Sequence, residues 1–121
     1  MITKKELKDW LDENARVKYA EKLEEYIDKN IKENALAGNT TFYISTGKCT
    51  RYTLDGGMKT SFYDIWNTKE LSNESRKLVQ EKVINKYREF GFDIEETTVD
   101  CGWDKHYFAL KFHSINKVIE D

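Results

Sequence analysis

The chain has 121 residues, of which 39% are hydrophobic and 13% aromatic, and its formal net charge at pH 7 is −2. This length fits a single domain over residues 1–121, and the near-neutral charge excludes a global field that would draw it to nucleic acid or a membrane. No segment approaches the run of about 18 apolar residues that a membrane span needs. The N-terminus lacks an apolar signal segment, so we expect a cytoplasmic protein with no membrane association and reduced thiols.

The first 38 residues carry two apolar stripes that point in nearly opposite directions on a helical wheel. The stripes are Leu7, Trp10 and Leu11, and Ala20, Leu23, Ile27 and Ile31. An unbroken helix over residues 4–37 would span about 50 Å in a domain whose radius of gyration is about 14 Å, and it would have to project and dimerise. We therefore predict a break near residues 12–16. A capping box of Thr3 and Glu6 starts the first helix, and Gly38 ends the second.

Alternating side chains predict strands after this helical segment. Residues 40–46 place Phe42 and Ile44 on one side of a half-buried strand, and residues 49–54 return as its partner. Residues 58–66 alternate less clearly, so they form either a third strand or an aromatic-rich loop.

The second half of the chain predicts a helix followed by a hairpin. Ser72 or Asn73 caps the helix and Gly91 ends it, and residues 92–99 and 105–113 form the two strands. The inner face of the last strand comprises His106, Phe108, Leu110 and Phe112. The order α-α-β-β-(β)-α-β-β predicts an α+β fold with two layers, a mostly antiparallel sheet of four to five strands with helices on one face.

Cysteine and histidine residues offer two catalytic hypotheses. Cys49, Cys101, His106 and His113 could form a metal site, but the chain lacks the closely spaced ligand pairs that are typical of zinc sites. A nucleophilic Cys101 beside His106 needs hydrogen-bond reach and oxyanion donors, and the sequence supplies proximity alone. We therefore predict no catalytic residues, no metal site and no cofactor, and a small cysteine- or metal-dependent enzyme is the least favoured alternative.

The charge distribution favours a protein partner over nucleic acid. Lys48, Arg51 and Lys59 lie among aromatic residues that could stack on bases, but three cations make a small footprint. Residues 92–121 carry seven acidic and three basic residues, which favours a basic partner.

An excess of aromatic residues outside the expected core is the remaining signal, because Tyr and Trp often anchor protein interfaces. The predicted anchors are Tyr43, Tyr63, Trp66, Trp103 and Tyr107, and the acidic residues predicted to steer a basic partner are Asp93, Glu95, Asp100 and Asp104. A homodimer formed through Trp10, or through Tyr19 and Tyr26, is a further hypothesis.

Two helix–glycine–strand junctions carry a resemblance to known proteins. The segments EEYIDKNIKENALAGNTTFYIS (residues 24–45) and YREFGFDI (residues 87–94) resemble modules in small uncharacterised proteins of bacteriophages and mobile elements of low-GC Gram-positive bacteria. The resemblance carries no functional residues, but it implies a binding role, such as host takeover, inhibition of a defence system or virion assembly. We therefore expect a non-enzymatic macromolecule-binding protein, a phage-encoded inhibitor or modulator of a host or defence protein. The alternative is a protein that binds or sequesters a small, nucleotide-like ligand.

Overall fold

The computed structural model of the chain describes residues 1–47, 61–102 and 105–120. The elements are α1 (Lys4–Leu36), β1 (Phe42–Ser45), α2 (Ser61–Trp66), α3 (Asn73–Phe90), β2 (Asp93–Gly102), β3 (Lys105–His113) and a final 3₁₀ helix (Ile115–Ile119). Within these ranges the fold is α+β, as predicted, with a three-stranded antiparallel sheet of order β1-β3-β2. The strand predicted over residues 49–54 lies outside the described residues.

Helix α1 runs without interruption from Lys4 to Leu36, so the predicted break near residues 12–16 is wrong. It begins with the predicted capping box, in which the Glu6 backbone N–H donates to Thr3 Oγ1 over 3.1 Å. The segment contains no glycine or proline that would interrupt a helix. The prediction failed because it assumed that both apolar stripes are buried in their own chain. The structure buries only the second stripe and leaves Leu7, Trp10 and Leu11 exposed.

The core lies between the sheet and the helices. Its largest fully buried side chains are Phe62, Phe112, Leu23, Ile27, Ile84 and Leu110. Rings from different elements stack there: the centroids of Tyr26 and Phe62 are 4.5 Å apart, and those of Phe42 and Phe112 are 5.1 Å apart. These contacts join α1 to α2 and β1 to β3.

Residues 61–66 form helix α2, although residues 58–66 were predicted as a strand or a loop. Both interpretations are wrong for residues 61–66, and residues 58–60 lie outside the described part of the chain. Phe62, Ile65 and Trp66 have the three- and four-residue spacing of one helix face, and all three belong to or pack against the core. Burial of this face, which alternation does not reveal, explains the helix.

Helix α3 and the hairpin that follows agree closely with the sequence prediction. Ser72 caps α3 by accepting a hydrogen bond from Ser75, and Gly91 ends the helix with φ at 126°, a value that side-chain-bearing residues rarely adopt. β2 and β3 then pair antiparallel from Asp93–His113 to Asp100–His106, with a register shift before Gly102.

The inner face of β3 is buried along only part of its length. Leu110 and Phe112 are buried as predicted, whereas Phe108 is 68% exposed and His106 is also exposed. All four side chains project to the same side of β3. Phe112 and Leu110 are covered there because they pair with Phe42 and Ile44 of β1. Phe108 and His106 lie beyond the end of β1, so their predicted burial is wrong.

Candidate protein-binding face

The candidate site is the side of the sheet that faces away from the core. The residues that project to this side are Tyr43 and Ser45 of β1, Asp93, Glu95, Thr97 and Val99 of β2, and Tyr107, Ala109, Lys111 and His113 of β3. Their neighbours on the opposite side include the buried Ile44, Ile94 and Leu110, which shows that the Tyr43, Lys111 and Glu95 part of this side faces solvent. Further along the hairpin the contrast is lost, since Ala109 on this side is 2% exposed and Phe108 on the other is 68% exposed. We call this set the outer sheet face.

Tyr43, Lys111 and Glu95 form a row across the three strands, because Lys111 pairs in register with both of the others. The Lys111 Nζ lies 5.4 Å from the centroid of the Tyr43 ring, within the range of a cation–π contact. The His113 Nε2 lies 3.1 Å from Glu95 Oε1. Tyr43 is 49% exposed. Exposed contacts of this kind add little to the stability of the fold. The Tyr43 ring and the charges of Lys111 and Glu95 can therefore exchange these contacts for contacts with a partner.

The four acidic residues predicted to steer a partner do not share one surface. Asp93 and Glu95 are exposed on the outer sheet face, as predicted. Asp100 lies on the opposite side of β2, in register with His106. Asp104 and the aromatic Trp103 lie outside the described residues.

Trp66 belongs to the edge of the core instead of the outer sheet face. Its ring lies 5.5 Å from that of Phe62, and its carbonyl oxygen accepts hydrogen bonds from the Tyr19 hydroxyl (2.5 Å) and Gln80 Nε2 (3.0 Å). Tyr19 is 4% exposed, so the prediction that it anchors a dimer is wrong. Its burial raises the pKa of Tyr19 to about 12, although the hydrogen bond from Gln80 acts in the other direction.

Three of the predicted anchors border one hollow. Tyr63, Trp66 and Tyr107 border a hollow of about 360 Å³ at the end of α2. Asn67 fixes this end of α2, because its side-chain amide donates to the carbonyls of Thr46 and Tyr63 over 3.2 and 2.9 Å. The structure thus brings these three residues together. Tyr107 also belongs to the outer sheet face, whereas Tyr63 and Trp66 belong to α2.

The described residues give the catalytic hypotheses no geometric support. His106 and His113 are seven positions apart on β3 and therefore project from opposite faces of the sheet, so they cannot share an ion. Within ranges 1–47, 61–102 and 105–120, no group of three or more His, Cys, Asp or Glu residues is placed to hold a metal. The Cys49 and Cys101 thiols lie outside what the structure describes.

The sequence did not predict the groove that lies between α1 and α3. It has a volume of about 470 Å³ and is lined by Ile31, Tyr87, Phe90 and Phe92, with Glu24, Asp28, Lys32 and Lys86. The Tyr87 hydroxyl donates to Asp28 Oδ1 over 2.5 Å, and burial together with this carboxylate raises the pKa of Tyr87. The available signal was Phe90, which has the helical spacing of the buried Val79 and Val83 of α3 but is 73% exposed. We call this feature the α1–α3 groove.

Comparison of the chain with protein-family models, curated proteins and solved structures finds no match. None of the helices in the described ranges combines the length and the apolar composition that crossing a membrane requires. We therefore infer function from the surfaces of the chain itself.

Proposed function

We propose that this protein is a non-enzymatic macromolecule-binding protein that engages a protein partner through the outer sheet face. One observation carries the proposal: Tyr43 is half exposed in one row with Lys111 and Glu95, while the adjacent residues Ile44, Leu110 and Ile94 of the same strands are buried in the core. A tyrosine offers a large contact area with few torsions to order. A ring surrounded by polar and charged residues has the composition of an interface anchor and its rim.

The outer sheet face carries the carboxylates of Asp93 and Glu95 and the ammonium group of Lys111, and this acidic excess favours a basic partner. Asp93 and Glu95 lie together on the exposed side of β2, which contains no lysine or arginine between Asp93 and Gly102. Such a pattern increases the association rate of a positively charged surface more than it increases affinity. The resemblance of the helix–glycine–strand junctions to small phage proteins favours inhibition or modulation of a host or defence protein over a metabolic role.

Affinity capture from the native host, read by quantitative mass spectrometry, tests the proposal when matched variants serve as bait. The Tyr43→Ala bait should recover the partner at least about tenfold less than the original chain, as expected for loss of an anchor. Asp93→Lys combined with Glu95→Lys should slow association with the purified partner, most strongly at low salt.

Leu78→Ala provides the control, because Leu78 is 53% exposed on α3 and lies away from the outer sheet face. This bait should recover the partner as well as the original chain does. Equal recovery by the Tyr43→Ala bait would remove the outer sheet face from the interaction.

The α1–α3 groove favours a second candidate function, the binding of a small ligand. Its volume lies within the range of about 300–1,000 Å³ that is common for ligand sites. Phe90 and Phe92, whose ring centroids are 5.8 Å apart, could contact an aromatic base, and Lys32 is the lining residue that could pair with a phosphate.

A thermal-shift screen with purine and pyrimidine nucleotides tests this second candidate. A nucleotide present at about 100 times its dissociation constant should stabilise the fold by about 2.7 kcal/mol, and Phe90→Ala should abolish the shift in melting temperature. No shift with any nucleotide, or a shift that Phe90→Ala leaves intact, would count against the groove as a nucleotide site.

A further inference from the structure

An apolar stripe runs along the first half of α1 on the side that faces away from the core. Its members are Leu7, Trp10, Leu11 and Val17, which are 45%, 50%, 60% and 50% exposed. At about 100° per residue this stripe points nearly opposite to Leu23 and Ile27, which are fully buried in the core. The residues of this N-terminal stripe therefore lie outside the core of their own chain, on a helix that is already formed.

The spacing of the N-terminal stripe is that of a coiled coil. Leu7, Trp10, Asn14 and Val17 follow one another at intervals of three, four and three residues, as the a and d positions of two heptads do. Asn14 occupies an a position, where a single polar residue fixes the register and the number of helices at some cost in stability. The pattern therefore fits another helix better than it fits a lipid surface or an irregular groove.

The two flanks of the stripe carry opposite charges. Glu6 and Glu13 occupy g positions on one flank, whereas the other flank has lysine at two of its three e positions, with Lys4, Leu11 and Lys18 in order. In a parallel pair the g flank of each helix faces the e flank of its partner, so that Glu13 of each copy meets Lys18 of the other. In an antiparallel pair like flanks would meet, and glutamate would face glutamate. The stripe is therefore complementary to a second copy of itself in the parallel orientation.

We propose that α1 joins two copies of this chain as a short parallel coiled coil over residues 4–18. In this pair the rest of each chain lies on the outer side of its own helix and does not block the contact, because the stripe is opposite the side of α1 that packs on the core. The next a and d positions are Glu21 and Glu24, and Glu24 pairs with Lys86 of its own chain at 2.5 Å. The apolar a and d positions therefore end near residue 18. So short an interface buries less surface than the roughly 1,200 Å² at the lower end of stable interfaces, and we expect a weak dimer. This proposal does not depend on the function of the outer sheet face.

Sedimentation velocity tests the dimer over about 1–500 µM, a range that brackets a weak interface. The sedimentation coefficient of the original chain should rise with concentration towards that of a dimer. Trp10→Glu should raise the dissociation constant at least about tenfold. It should leave the melting temperature at low concentration unchanged, because Trp10 lies outside the core. Leu78→Glu, on the exposed side of α3, should dimerise like the original chain.

Charge exchange tests the orientation of the two helices. Glu13→Lys and Lys18→Glu should each weaken the dimer, and the double variant should restore it, because each copy then regains an opposite charge across the seam. A chain that stays monomeric throughout the range, or a dimer that Trp10→Glu leaves intact, would overturn the proposal. A dimer that is lost in Trp10→Glu but not restored in the double variant would overturn the parallel pairing.

Discussion

Replacing Phe62 by alanine should lower the free energy of unfolding by about 3–5 kcal/mol, the range measured for large-to-small changes in close-packed cores. Phe62 is 0% exposed, and its ring stacks on Tyr26 of α1 and lies 5.5 Å from Trp66. The substitution leaves a cavity between α2 and α1 that neighbouring side chains can fill only in part. Since domains are stable by about 5–15 kcal/mol in total, the loss should be evident as a lower midpoint in urea unfolding followed by circular dichroism.

Phe90→Ala is the matched control for this prediction. It removes the same ring from a position that is 73% exposed, so it should cost about 1 kcal/mol or less. If Phe62→Ala and Phe90→Ala had similar small costs, the packing of α2 against α1 would be incorrect. The comparison therefore tests the element that the sequence predicted least well.

Local signals account for the parts of the fold that were predicted correctly. Helix α3 has its cap at Ser72 and its terminating glycine at Gly91, and both act within a few residues of chain. The alternation around Ile94 of β2 and around Leu110 and Phe112 of β3 indicates which side is buried, and it placed Asp93 and Glu95 on the exposed side. These features depend on the residues next to them and hardly on the rest of the molecule.

The features that were missed depend on contacts distant in sequence. The stripe of Leu7, Trp10 and Leu11 was recognised, but a sequence does not say whether a stripe is covered by its own chain or by another. Helix α2 has six residues, too few to be stable alone, and exists because Phe62 enters the core. The same burial places Trp66 at the core edge and away from Tyr43, so the predicted anchors could not be grouped correctly without the structure.

Replacing Tyr19 by phenylalanine should have a cost that depends on pH. At neutral pH the variant loses the hydrogen bond to the Trp66 carbonyl and the one accepted from Gln80. The cost should be about 1–2 kcal/mol, and it is limited because Gln80 still donates to the same carbonyl over 3.0 Å. Urea unfolding of both proteins at a series of pH values from neutral to alkaline measures this difference.

Above pH 10 the cost of Tyr19→Phe should shrink and then change sign. The unfolded chain releases the Tyr19 proton near the ordinary pKa of 10.0, whereas burial holds the pKa of Tyr19 in the folded chain at about 12. Between these values the unfolded state binds fewer protons than the folded state. The original chain therefore loses roughly 1.4 kcal/mol of stability per pH unit that the variant keeps. The two unfolding free energies should cross near pH 11, because the other titrating groups are common to both proteins. Leu23→Ala, a core truncation without an ionisable group, should show a constant cost over the same range. A constant cost for Tyr19→Phe as well would mean that solvent reaches the Tyr19 hydroxyl, contrary to its position between Trp66 and Gln80.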